Sequence, residues 1–174
     1  MKNMLKMFLL IIVGLLTAII IYPFLHESEH AIIALIVGAE ITDLNLFLLP
    51  FVVCEVSKID NLGQVLIGLG GIFIPFVISM SLKLKPFWMW YVNLLIKGIS
   101  TYATLLSVIA ILLHINGVSW HNKDIIQVLQ ISQKGIWLFL CVFVVMFVYG
   151  CFIIKADKPF IKLINHFNIA DERG

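Results

Sequence analysis

The chain has 174 residues, 61% of them hydrophobic and only 13% charged, with a mean hydropathy of +1.07. That charged share is about half of what a soluble domain carries, so composition excludes a water-soluble globule and points to one compact membrane bundle. A formal net charge of +2, without a basic cluster interleaved with aromatics, excludes nucleic acid as a partner and leaves the lipid bilayer.

The first apolar run covers residues 4–22. Lys2 and Lys6 stand before its apolar core, as in a signal peptide. The run is long, however, no A-x-A-like site follows, and Pro23-Phe24 leads directly into charged residues, so it reads as a retained span. Pro23 should kink or restart the helix, because its ring clashes with the preceding turn and it has no N–H to donate. A second helical piece then runs to Val37, with Gly38 as its C-terminal stop. Residues 40–56, "EITDLNLFLLPFVVCEV", are rich in β-formers and carry the alternation Ile41, Leu44, Leu46. They predict a short β-hairpin or extended segment at the membrane surface, turning near Pro50.

The second span is residues 62–82, followed by the short basic turn Lys83-Leu84-Lys85-Pro86. The third, residues 87–113, is long enough to cross with tilt. Trp88, Trp90 and Tyr91 at its start read as an interfacial belt. Residues 114–134 are the longest polar stretch, with a short helix predicted over 124–131 and Asn122 as its N-cap. The fourth span is residues 135–154. In the tail, Phe160, Ile161, Ile164 and Phe167 recur at roughly helical spacing, which predicts an amphipathic helix on the cytoplasmic surface. Cys54, Cys141 and Cys151 form no C-x-x-C pair and read as buried thiols.

The expectation is an all-α polytopic membrane protein. Residues 1–154 form a transmembrane domain of about four helices, with a kinked HExxH helix and a short surface β-hairpin; residues 155–174 form a cytoplasmic tail. With the N-terminus in the cytoplasm, Lys2, Lys6, Lys83, Lys85, Lys155, Lys158, Lys162 and Arg173 lie inside. Only Lys58, Lys123 and Lys134 lie outside, and this bias favours that orientation in a cell membrane, provided Pro23 does not turn the first helix back.

Residues 26–30 read His26-Glu27-Ser28-Glu29-His30, between segments apolar enough to sit in lipid. Four residues is about 1.1 helical turns, so both imidazoles share one face and can share one zinc ion. Glu27 then points at water on that ion and serves as general base when a peptide carbonyl is attacked. Ionisable groups at membrane depth are costly and usually functional; the plainer alternative places these residues at the headgroup level. A catalytic zinc needs a third protein ligand. The candidates are Asp43, Glu55, Asp60, His114, His121 and Asp124. Asp124 fits best, because it opens a short helix on the side to which the first helix delivers the histidines. Its ordinary reading is a helix-start carboxylate favoured by the dipole. Lys97, near the middle of the third span, calls for a partner. Glu29 is one candidate, and snorkelling or substrate contact is the alternative. Asn93, one turn earlier, is a candidate substrate-binding amide, set against the ordinary role of a helix-packing group.

"FLHESEHAIIALIVGAEI" (24–41) resembles the zinc-binding helix of the site-2-protease class of intramembrane metallopeptidases. There the motif is commonly H-E-L-G-H, followed by small and apolar residues and a glycine before a strand. Gly38 and residues 39–47 match that layout. "LIGLGGIFIPFVISMSL" (66–82) resembles the glycine- and proline-containing helix that follows the hairpin in a compact branch without a PDZ domain. "NKDIIQVLQISQKGIWLFLCVFV" (122–144) resembles that branch's later block, with Asp124 opening a short helix and Trp137 on the next span. The resemblance covers most of residues 20–145, and its specific part is the histidine motif. Glu29 stands where the family usually has glycine, and the N-P-D-G and L-D-G blocks of larger members are missing.

The resemblance implies zinc held by His26, His30 and Asp124, with Glu27 as catalytic base. It implies hydrolysis of a peptide bond in or near a membrane-embedded segment of a membrane protein or peptide. The 40–56 region could hold such a substrate as an added strand. The other class is a non-catalytic membrane protein: an immunity factor, a transporter component, or an inactive protease-like protein that binds partners.

Overall fold

The computed structural model describes residues 2–47, 49–118 and 123–171. The fold is an all-α bundle with four helices long and apolar enough to cross a membrane, and a two-stranded hairpin. The chain begins with α1 (Lys2–Leu16), passes through a π-helical turn (Thr17–Ile21), and continues as α2 (Tyr22–Val37). As expected, a second helical piece runs on from the proline to Val37, and Pro23 lies in its first turn. The π turn lies directly before it, with the Tyr22 N–H donating to the Thr17 carbonyl five residues back. A widened turn leaves room for a residue with no N–H, so the chain stays helical across the proline. No hairpin forms at Pro23, and later spans alternate in direction as the lysine count assumed. α2 ends at Gly38, whose left-handed backbone (φ 81°) lets the Ala39 N–H reach the Ala34 carbonyl at 2.8 Å.

β1 (Glu40–Asn45) pairs antiparallel with β2 (Phe51–Glu55), with an irregularity between Ile41 and Asp43. α3 (Asn61–Ser81) starts on Asp60, whose Oδ1 accepts the Gly63 N–H at 2.7 Å. Its 21 residues extend about 31 Å, close to the hydrocarbon thickness of a bilayer. α4 (Phe87–Ile115), the short α5 (Lys123–Ile131), a 3-10 turn (Gln133–Gly135) and α6 (Ile136–Ala156) follow, and α7 (Pro159–Asp171) forms the tail helix. The expected short helix is thus α5; Asn122, its expected cap, lies outside the described residues.

The core lies between α3, α4, α5 and α6. Ile72 and Phe76 meet Ala110 and Ile111, Ile125 and Leu129 of α5, and Phe143 of α6. Apolar side chains such as Ile19, Leu138, Val145 and Phe152 point outward, as a lipid-facing surface does.

One end of the bundle gathers the start of α1, the start of α4 and the tail helix. Lys6 Nζ donates to the His166 carbonyl at 3.2 Å, and the Tyr91 hydroxyl to the Leu10 carbonyl at 3.2 Å. Trp90 departs from the expected belt: it is buried beneath α7, while Trp88 is exposed. The cysteines depart too. Cys141 and Cys151 are exposed on α6 and Cys54 is half-buried on β2, all three as free thiols.

Lys97 is buried in α4 and does not pair with Glu29. Its Nζ lies 2.6 Å from Asp157 Oδ2, at the end of α6. The long side chain snorkels toward the tail end and meets an acid there. Glu29 is buried on α2, and its Oε2 has no hydrogen-bond partner among the described residues.

Candidate metal centre

α2 and α3 lie against each other, and the glycines of α3 decide how closely. A Cβ on Gly71 would fall 2.4 Å from His26 Cε1 and 2.6 Å from His30 Nε2. A Cβ on Gly70 would fall 2.5 Å from Ile33 Cδ1. Without side chains at these positions, both imidazoles reach the α3 backbone. His26 Nδ1 donates to the Gly71 carbonyl at 2.5 Å, and His30 Nδ1 to the Ile67 carbonyl at 2.7 Å. A carbonyl only accepts, so each Nδ1 carries the proton and each Nε2 presents its lone pair.

The two acceptors are not equivalent. In a helix the carbonyl of residue 67 receives the N–H of residue 71, and that of residue 71 receives the N–H of residue 75. Residue 75 is proline, buried within α3, and has no N–H. Pro75 thus frees the Gly71 carbonyl for His26.

The third donor arrives from α5. Asp124 sits in its first turn, and its backbone approaches Gly68, where a Cβ would lie 3.2 Å from the Asp124 carbonyl oxygen and 2.7 Å from Val128 Cγ2. Ile125, Val128 and Leu129 are buried, which fixes the helix and the carboxylate at its start.

The result is a triangle of donors. His26 Nε2 and His30 Nε2 are 3.3 Å apart, and they lie 3.7 and 3.8 Å from Asp124 Oδ2. Bonds of 2.0–2.2 Å to a tetrahedral zinc imply ligand–ligand separations of about 3.3–3.6 Å. The His26–His30 separation falls in that range and the two to Asp124 Oδ2 lie just above it, so the donor set and its carbonyl-fixed imidazoles fit that ion after a small closing movement of the carboxylate. Among the described residues, His26, His30 and Asp124 form the group able to hold a metal.

The other candidates for the third position are elsewhere. Asp60 caps α3. Glu55 is exposed, and the Ser57 hydroxyl and N–H hold its carboxyl below the usual range. Asp43 is exposed on β1, and His114 lies in the last turn of α4. His121 lies outside the described residues. Asn93 is not brought to the cluster either. It is buried, and its Nδ2 donates to the Ser79 and Leu82 carbonyls at 3.2 Å, tying down the last turn of α3. Ser79 is eight residues beyond Gly71, about 12 Å along the helix. Sequence reading missed the parts played by Gly71 and Pro75. The available signal was glycines and a proline together in an otherwise apolar span.

The triangle borders a cavity of about 490 Å³, also lined by Glu27, Val52, Cys54, Val56 and Gln127. β2 forms one wall and α5 another. Ile67 and Gly71 are six and ten residues into α3, so the cluster lies roughly 9–15 Å below the hairpin end of that helix. Burial, and next to it the Glu27 charge, push the Cys54 thiol up from its ordinary value. Compared with known proteins, the chain matches no family model, no curated protein and no solved structure.

Proposed function

We propose that this protein is an intramembrane zinc metalloprotease of the site-2-protease kind, cutting a peptide bond in or near a membrane-embedded segment. The observation that carries the reading is the donor triangle itself. Three candidate ligand atoms from two distant stretches of chain stand 3.3–3.8 Å apart beside a cavity lined by Glu27. A zinc ion held there supplies Lewis acidity that acidifies water and polarises a carbonyl.

The chain's own groups do the rest. His26 and His30 keep their Nε2 atoms aimed inward, because α3 carbonyls hold the opposite nitrogens. Asp124 adds the negative charge that completes the donor set. Glu27 accepts a proton from water and returns it to the leaving amine. Val52 and Cys54 share one face of β2, and with Val56 just beyond it they offer an extended surface in the same cavity. A substrate must arrive unwound, since helical carbonyls are already hydrogen-bonded. The lysine bias supports both the N-terminus and the tail facing the cytoplasm.

The test is metal content together with processing. Purified protein should carry about one zinc per chain, and His26→Ala and Asp124→Ala should lose it. Glu27→Gln should keep the metal and cut a co-expressed single-span substrate at least ~100-fold more slowly. Absence of stoichiometric zinc, or normal processing by Glu27→Gln, would place the protein among non-catalytic membrane proteins.

A further inference from the structure

Opposite the histidine cluster, α4 begins without a side-chain cap. Pro86 occupies its N-cap position and no acid lies in its first turn. The first N–H groups of this 29-residue helix form the positive end of its dipole. α7 lies across that start: His166 stacks on Phe87 with ring centroids 3.5 Å apart, and Lys162 Nζ sits 4.9 Å from the centre of the Trp90 ring.

Between them is a cavity of about 480 Å³. Lys85, Lys162 and Asn165 line it with exposed side chains, and among the described residues no acid does. Trp90 also lines it; the residue is 5% exposed, and its Nε1 has no hydrogen-bond partner among the described residues. A buried indole N–H ordinarily finds an acceptor. Two ammonium groups, an amide, a buried N–H and a helix start all call for an anion with several acceptor oxygens. Leu84 and Phe87 give the same cavity an apolar side. It lies where a span begins, at the level of lipid headgroups.

We propose that this cavity binds the phosphate of an anionic phospholipid headgroup. The donors take the phosphate, and Leu84 and Phe87 meet the glycerol and the first methylenes. Free phosphate offers the same oxygens without the apolar part. The site is independent of the metal centre, so the two can fail separately.

The test is native mass spectrometry of the full chain in neutral detergent, with phosphatidylglycerol, phosphatidylcholine or inorganic phosphate added. Phosphatidylglycerol should be retained in preference to phosphatidylcholine. A Lys85→Gln/Lys162→Gln pair should lower that retention about 20-fold. Trp90→Phe keeps an aromatic ring but loses the donor, and should lower it about threefold. Lys58→Gln/Lys134→Gln, at the opposite end, should leave it unchanged. Melting of each variant, followed by circular dichroism, separates lost binding from lost fold. Undiminished retention by the paired variant, an equal loss in the opposite-end control, or inorganic phosphate binding as tightly as phosphatidylglycerol overturns the proposal.

Discussion

At residue 75 the chain gives up a backbone donor inside an apolar helix, and that loss orients the His26 imidazole forty-nine positions earlier. The Gly71 carbonyl, freed by Pro75, is the acceptor that fixes His26. An alanine at 75 restores a competing N–H for the same oxygen. Groups that orient a ligand histidine typically contribute 10- to 100-fold in metal affinity. Pro75→Ala is therefore expected to weaken zinc binding about tenfold, while the melting temperature of the metal-free protein holds or rises, since the helix regains a hydrogen bond. Competition titration with a chromophoric chelator checks the first part and thermal unfolding the second. Gly71→Ala should do worse, because its Cβ meets both imidazoles at 2.4–2.6 Å and either the rings or α3 must move.

Among the elements, the pairing of α4 with the α6–α7 junction rests on Lys97 and Asp157. The ammonium is 4% exposed and the carboxylate 25% exposed. That difference makes the two deletions unequal. Asp157→Ala strands a buried cation and should cost roughly 3 kcal/mol. Lys97→Met leaves an acid that water can reach, and should cost under about 1 kcal/mol. Unfolding midpoints of the purified protein decide this, and equal losses would contradict it. Further support for the same junction comes from Gly150, where a Cβ would lie 2.3 Å from Thr101 Oγ1, so α6 and α4 touch there without a side chain between them.

For the whole molecule, a polar cavity and an apolar outer surface occupy different faces, and the cysteines can report which of them meets water. Cys54 lines the cavity, Cys141 is exposed within the apolar run of α6, and Cys151 is exposed near its end beside Lys155 and Lys158. A water-soluble maleimide should label Cys54 and spare Cys141 in liposomes. Burial and the Glu27 charge both disfavour the thiolate, so the labelling rate should climb with pH to a midpoint above that of an ordinary thiol. Glu27→Gln should move the midpoint down; rates against pH in the two proteins test it. Length and apolarity determined the four spans by themselves, because a bilayer demands some twenty apolar residues wherever a chain crosses. Helical periodicity likewise put His26 and His30 on one face, and β-formers around Pro50 marked the hairpin. Which acid would join the histidines, who would neutralise Lys97, and which way Trp90 and the cysteines would turn were decided only by the tertiary structure. In lipid, the inside and the outside of a bundle are both apolar, so hydropathy does not mark the buried face. Contacts such as His26 with Gly71, Lys97 with Asp157, and Asp124 with both histidines join residues far apart in the chain, and local pattern carries no record of them.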